Sequence, residues 1–403
     1  MSNQAGRVGL ICTSQWLTAD YGQNLRRMLS GGRLHEIVDF GSLPVFANAS
    51  TYPAILVLSP TPASALTVRR INNAEDLNTH GIHGAPAVTV RLSSLTAAPW
   101  NLGRLDIARI LQRSKLAWKP LSAFGGAYIG CKTGMNQAFV LSSGEARKLR
   151  LEKAALLSYA LRGGEVGRYA RVEPDAVVIY PYREGPNGSP ELIPETELKR
   201  DYPHVHAYLL SFKDQLRQRQ DSRRFYAKGV EWYRHLRPGT FRYIRPPKLV
   251  FKAIAKSACG GFLAENTAFD GANCPAIIPE NLEGHDIKFL LGLLNSRLAS
   301  YHLRSVCPPK LAGYLKFSAT CLSETPIRVL DLSKPGDRSH HERMVQLVEQ
   351  MLELNQRLPA VRTPQEKTAL ERQIAATDTQ IDRLVYDLYG LTEEEIGIVE
   401  GAK

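Results

Sequence analysis

The chain has 403 residues, 44% of them apolar and 22% charged, which is ample for more than one hydrophobic core and too balanced for disorder. No run of about 18 apolar residues offers a membrane-spanning helix, and the first residues lack the basic-then-apolar order of a signal peptide. Six scattered cysteines without a C-x-x-C pair argue against a disulfide scaffold or a zinc cluster, so reduced thiols in a cytoplasmic protein are expected.

Taken in chain order, Arg7 to Cys12 reads as a short buried strand. Leu25, Met28 and Leu29 share one face of a helix that Gly31 and Gly32 stop. Leu34 to Phe40 and Ala54 to Leu58 read as two further strands, close enough in sequence for an antiparallel hairpin. Three strands and one helix cannot bury both faces of a sheet, so something else must cover them. Residues 60–104, rich in Pro, Ala, Ser and Thr, read as a partly packed linker with one strand at Ala87 to Leu92.

Between 105 and 335 short β-like runs alternate with turn residues, an α+β pattern without strict strand–helix alternation. Apolar spacing predicts one helix from Pro203 to Arg219 and another from Asp286 to Leu303. Residues 341–397 read as a helical hairpin, turning at Pro359 and Pro364, with a near-heptad seam from Leu370 to Leu388 and a stop at Gly390. Thr392 to Glu395 resembles a capping box.

The net charge of +12 and a pI near 9.4 favour a polyanionic partner. The excess is concentrated: residues 101–260 hold 29 Lys and Arg against 14 Asp and Glu, whereas residues 341–403 hold 7 against 12. A basic segment of this size in an ordinary globular chain points to nucleic acid, with a merely solvated surface as the alternative.

Catalytic motifs are missing. There is no G-x-S-x-G, H-E-x-x-H or Walker loop. His204 and His206 fall on different helix faces, and His340 and His341 open a helix, so no metal site is expected. Gly163-Gly164-Glu165-Val166-Gly167 reads as a turn rather than a phosphate loop. Ile129 to Val140 stands apart. Gly130 and Gly134 bracket Lys132 and Thr133, Asn136 follows, and Ile129, Phe139 and Val140 supply apolar anchors. Such a loop offers donors to phosphates or base edges, or is simply a structural turn.

These segments, in this order, resemble the C-terminal half of the TaqI-like adenine-N6 DNA methyltransferases of restriction–modification systems. Val8 to Leu17 and Ile37 to Gly41 look like the last strands of the family's catalytic domain, and Ile129 to Phe139 is similar to its G-x-x-T-G-x-N-x-A-F segment. Leu161 to Tyr169 resembles L-R-G-x-D-I-x-R-Y, with Glu165 in place of Asp; Leu291 to Ser296 resembles the L-L-N-S helix, and Leu388 to Ile396 the closing L-Y-x-L-T-E-E-E-I. The family's glycine-rich S-adenosylmethionine turn and its Asn-Pro-Pro-Tyr motif are absent, so no catalytic or cofactor-binding residue carries over.

The resemblance implies an α+β chain in four parts: the edge of an α/β methyltransferase sheet at 1–68, a linker with a strand at 69–118, a mixed α+β target-recognition domain at 119–335, and a C-terminal helical hairpin at 336–403. It implies sequence-specific binding of double-stranded DNA by a chain that is not catalytic alone. The catalytic motifs and S-adenosylmethionine belong to an upstream part of a longer enzyme, a nuclease fusion included, or to a separate catalytic chain. A general basic scaffold is the remaining alternative. Expected DNA contacts are Lys132, Thr133, Asn136, Arg162, Arg168 and Tyr169, with Tyr314 and Lys316 in a lesser place. Each has a structural alternative: Thr133 and Asn136 capping a turn, Arg168 pairing with Glu165, Tyr169 packing in a core.

Overall fold

The computed structural model describes residues 6–401 apart from 18, 42, 44, 47–51, 72, 73, 86, 99, 101, 103–106, 108, 109, 112, 113, 129, 309, 311 and 312. The chain divides into two compact units, residues 1–106 with 308–314, and residues 107–307 with 315–403. No described helix is long and apolar enough to cross a membrane.

The first unit is built on five strands: β1 (Val8–Thr13), β2 (Leu34–Asp39), β3 (Pro53–Leu58), β4 (Ala65–Arg70) and β5 (Ala87–Arg91), laid side by side as β1-β3-β2-β4-β5. β2 and β3 form the expected antiparallel hairpin, with Ile37 opposite Leu56. The stretch read as a linker adds β4 as well as the strand at Ala87, and β4 pairs parallel to β2. Only Leu66 and Val68 of β4 point inward, too few apolar positions to announce a strand. Alternation does the rest: Ile37 joins Trp16, Leu29, Leu56 and Trp100 on one face, and Val38 joins Phe40 and Ile71 on the other. The buried Arg26 donates to the carbonyls of Trp16, Ala19 and Ala97, which compensate the burial of its charge. β1 is an edge strand on which Val8, Leu10 and Ile11 stay exposed.

The second unit is α+β. A five-stranded sheet runs in the order Arg171–Val172, Gly260–Leu263, Lys248–Phe251, Ala276–Pro279, Gly125–Tyr128. A four-stranded sheet runs Thr267–Phe269, Leu156–Ala160, Ala176–Ile179, Val140–Ser142. Both expected long helices are broken. The first becomes Pro203–Leu210 and Lys213–Arg217, because Ser211 turns its hydroxyl back onto the Tyr208 carbonyl at 2.6 Å. The second becomes Ile287–Asn295 and Arg297–Val306, because Ser296 adopts extended backbone and caps the second piece, accepting from the Ala299 N–H. The break leaves Asn295 to pin the helix to the sheet. Its amide accepts from the Gly260 N–H at 2.7 Å and donates to the Gly260 carbonyl at 2.9 Å.

The helical hairpin consists of Pro335–Arg357 and Pro364–Tyr389, and a final helix follows at Glu393–Gly401. Thr363 caps the second long helix, and Gly390 ends it in the left-handed conformation at φ +64°. Gly292 lets the hairpin approach, since a Cβ there would meet Met344 Sδ at 2.4 Å.

Lys248 is fully buried in the central strand, with Nζ donating to the carbonyls of Ile244 and Thr267. Burial pushes its amine down to about 7. The unfolded chain, with an ordinary lysine near 10.4, then holds more protons than the folded one between pH 7 and 10, so this residue's contribution to stability rises with pH across that window. Urea unfolding of the Lys248→Met variant beside the parent, at pH 7 and pH 9.5, should show the parent gaining on the variant as pH rises. An unchanged difference between the two would contradict a neutral buried amine.

Candidate nucleic-acid interface

The loop after Gly130 is held by backbone pairing on one side and a buried cation on the other. The Lys132 N–H donates to the Arg237 carbonyl at 2.7 Å and the Arg237 N–H returns to the Lys132 carbonyl at 2.9 Å. Thr133 is buried; its hydroxyl donates to Asn136 Oδ1 at 2.7 Å and accepts the Met135 N–H at 3.1 Å, which makes it the cap of a tight turn. Gly134 sits at φ +78° against Tyr226, whose Oη would lie 1.9 Å from a Cβ at that position. Phe139 anchors the loop in the core, Val140 opens the next strand, and Ile129 lies outside the described residues. Lys132 is half-buried and Asn136 exposed, with its amide nitrogen turned to no described partner.

Arg219 binds this arrangement together. It is 7% exposed, and its guanidinium donates to the carbonyls of Leu216 (2.9 Å), Thr133 (2.7 Å), Trp232 (3.0 Å) and Arg234 (2.6 Å). The charged plane lies 5.2 Å from the Phe139 ring and 5.1 Å from the Tyr226 ring. Three separate loops thus converge on one cation. Behind them Cys131 donates its S–H to His235 Nδ1 at 3.3 Å, and His235 Nε2 donates to the Ile179 carbonyl at 2.9 Å. Burial drives His235 down to about 3 and the Cys131 thiol up. Both groups are therefore neutral at pH 7, and the pair is a packed hydrogen bond rather than an activated nucleophile.

Arg168 and Tyr169 turn inward, which revises the expectation that they meet DNA. Arg168 donates to the Asn295 carbonyl at 2.7 Å and to Asp378 Oδ2 at 2.7 Å, and it does not pair with Glu165. It thereby joins the turn at 163–169 to both the Ile287–Asn295 helix and the helical hairpin. Tyr169 is fully buried at φ +53°, with its N–H on the Gly260 carbonyl and its hydroxyl without a hydrogen-bond partner among the described residues. Thr133 belongs with them as a residue that shapes its loop. Arg162 and Lys316 are exposed with no ion pair among the described residues, and Tyr314 is 40% exposed in the segment that belongs to the first unit. Of the expected contacts, only Lys132, Thr133 and Asn136 form one cluster.

Beside the Arg168 clasp lies a cleft of about 270 Å³ lined by Arg168, Asn295, Arg297, Arg304, Asp378 and Glu400, among others. Arg297 pairs there with Asp382 at 3.1 Å, and burial raises the Asp382 carboxyl to about 6. Among the described residues no group of three His, Cys, Asp or Glu is placed to hold a metal ion.

No family model matches the chain. It is 22% identical, over 98% of its length, to the type II restriction enzyme and methyltransferase RM.Eco57I of Escherichia coli, and 25% identical, again over 98%, to the type II methyltransferase M.XhoI of Xanthomonas vasicola. Its relatives are type II restriction–modification methyltransferases. The chain spans 42% of the first relative and 67% of the second. Its fold is shared with the type IIL restriction–modification enzyme MmeI, solved in complex with DNA, at a TM-score of 0.62 and 13% identity, covering 99% of this chain and 49% of that one. Within this kinship, sequence reasoning passed over Arg219, Asn295 and Asp378 as organising residues. The run from Arg217 to Lys228, with five basic residues and one acidic, was the signal available for the first of them.

Replacing Arg219 with Met should destabilise the second unit by about 3 kcal/mol or more, because several buried carbonyls lose their donor at once. Denaturant unfolding measures this. A loss below about 1 kcal/mol, the worth of one ordinary hydrogen bond, would show that the cation is not what holds these loops.

Proposed function

We propose that this chain is the sequence-specific duplex-DNA recognition module of an adenine-N6 DNA methyltransferase of the restriction–modification type. It positions a catalytic domain located elsewhere in a longer polypeptide or on a separate chain. The observation that carries this reading is similarity to restriction–modification methyltransferases along 98% of a chain whose 403 residues lack both the glycine-rich cofactor turn and Asn-Pro-Pro-Tyr. The concentration of positive charge in residues 101–260 supports it, as does the DNA complex of the structurally similar MmeI.

In this reading Lys132, Asn136, Arg162 and Lys316, with Tyr314, meet the duplex, while Thr133, Arg168 and Tyr169 hold the loops that present them. Cations on the backbone fix register and orientation, and a few side chains read base edges.

S-adenosylmethionine supplies the methyl group in such enzymes, and the described residues do not fit it. The Gly163–Glu165 turn is followed by a strand at Arg171–Val172 and not by a helix, so it forms no phosphate- or carboxylate-binding helix start. The cleft by Arg168 is crossed by ion pairs, and Arg168, Arg297, Arg304, Asp378 and Glu400 put charge around most of it. No chemical step is therefore assigned to this chain.

Selection from a randomised duplex pool at about 150 mM salt, where non-specific phosphate contacts are weakened, should enrich one short motif. Salt-sensitive binding without enrichment would reduce the module to a general basic surface. Incubation of the chain alone with labelled S-adenosylmethionine and the selected duplex should transfer no methyl group; transfer would overturn the division of labour. On the selected duplex, Arg162→Ala should weaken binding about equally across sequences and lower the salt slope by about one, as for any single phosphate contact.

A further inference from the structure

Between Arg219 and Tyr226 the chain leaves the body of the second unit as a two-stranded ribbon. Gln220–Asp221 pairs antiparallel with Arg224–Phe225, Gln220 opposite Phe225 and Asp221 opposite Arg224. Its base is fixed on both sides. Arg219, just before it, is the buried cation described above, and Tyr226, just after it, packs on Gly134, with Ala227 fully buried beyond. Its tip is open: residues 220–225 are all exposed, Phe225 at 45%.

The turn is made by Ser222 and Arg223, at φ +50° and +68°. Positive φ at both central positions is the geometry of the two-residue hairpin turn that favours Asn-Gly. A serine and an arginine hold that conformation against the steric preference of L residues. Turn chemistry alone would place glycine where Arg223 stands, so the guanidinium at the apex needs another reason.

Charge supplies it. Several arginines elsewhere on this unit are paired with neighbouring carboxylates: Arg183 with Glu197 at 3.0 Å, Arg200 with Asp201 at 2.7 Å, Arg234 with Glu231 at 2.8 Å and Arg242 with Glu280 at 3.2 Å. Arg217, Arg223, Arg224 and Lys228 are exposed and have no acidic partner among the described residues. Lys228 instead lies over the Phe225 ring at 5.2 Å, which keeps an apolar face beside the cations. The Arg219–Thr133 hydrogen bond and the Tyr226–Gly134 contact tie the base of the ribbon to the loop that carries Lys132 and Asn136.

We propose that the ribbon of residues 220–225 is a finger that enters the major groove of duplex DNA, with Arg223 reading a base edge and Arg217, Arg224 and Lys228 on the phosphates flanking it. The inference rests on the DNA-recognition reading above and adds the element that reads. A two-stranded ribbon fits the major groove, and an arginine reaching a base edge there pairs bidentately with guanine O6 and N7. The anchored base holds the tip against the strain of its turn, which is the condition for a base-reading side chain to arrive preorganised.

The test uses the full chain and the duplex obtained by selection. The double variant Ser222→Asn with Arg223→Gly installs the turn's favoured pair and removes only the apical guanidinium, so loss of the ribbon cannot explain its behaviour. It should bind the selected duplex roughly tenfold to a hundredfold more weakly, and a repeated selection should lose discrimination at one G·C position while keeping the others. Arg224→Gln should keep the selected motif and lower the salt slope by about one. If the double variant selects the same motif with the parent's affinity, the finger does not read DNA, although the module still does. If the parent itself binds no duplex, the recognition reading falls and this inference with it. Equal retention of the parent on single-stranded RNA or on an acidic polypeptide would likewise overturn it in favour of a different polyanion.

Discussion

One buried guanidinium organises the loops around Thr133, Trp232 and the 220–225 ribbon. Arg219 gives up nearly all of its hydration, and in an apolar surrounding that is tolerable only if its donors are used. Leu216, Thr133, Trp232 and Arg234 offer their carbonyls, and Phe139 and Tyr226 offer ring faces. The arrangement cannot be satisfied piecemeal. If the turn at Thr133 shifts, or the segment at 232–234 slides by one residue, a charge is left buried without its acceptors. The Lys132–Asn136 loop, the Trp232–Arg234 segment and the base of the 220–225 ribbon are therefore one object, and its rigidity comes from desolvation more than from any single hydrogen bond.

A second arginine does the same for the helical part of this unit. Arg168 reaches from the turn at 163–169 to the Asn295 carbonyl and to Asp378 on the hairpin, while Asn295 itself clamps Gly260 in the sheet. Asn295 can do so because the helix ends there, and it ends there because Ser296 serves as the cap of the next. The Asn-Ser pair that looked like part of a continuous helix is thus the joint at which helix, sheet and hairpin meet. Asp382, close to the same arginines, has its carboxyl raised to about 6 by burial and pairs with Arg297 at 3.1 Å.

How much of this was legible in the residues follows from what each signal encodes. Strand alternation and turn spacing revealed the β2–β3 hairpin, since Ile37 and Val38 must face opposite sides. Heptad spacing with Pro359, Pro364 and Gly390 revealed the helical hairpin. Apolar spacing failed at Ser211 and Ser296, because the buried face continues across each break while the backbone does not; a capping serine is indistinguishable from an interior one by periodicity alone. Charge counting marked a basic region and could not say which way a guanidinium points. Arg168 and Arg219 look from their neighbours in sequence like surface cations, yet both turn inward, whereas Arg223 and Arg224, exposed and without an acidic partner among the described residues, sit on a short ribbon that no apolar pattern betrays.

Inward and outward arginines have complementary tasks. A cation that has surrendered its hydration and found carbonyls is spent on structure: it has no donor left for a phosphate and would lose too much by moving. A cation that keeps its water and has no carboxylate beside it can exchange that water for a polyanion at little cost and with release of counterions. Placing the first kind directly beneath the second makes the exposed group arrive in a fixed position, so less conformational freedom is lost on binding. That layering, with Arg219 at the base and Arg223 at the tip, also explains why a strained turn persists without glycine. The strain is held by an over-determined base, since Arg219 and Tyr226 are both fixed in the body of the unit.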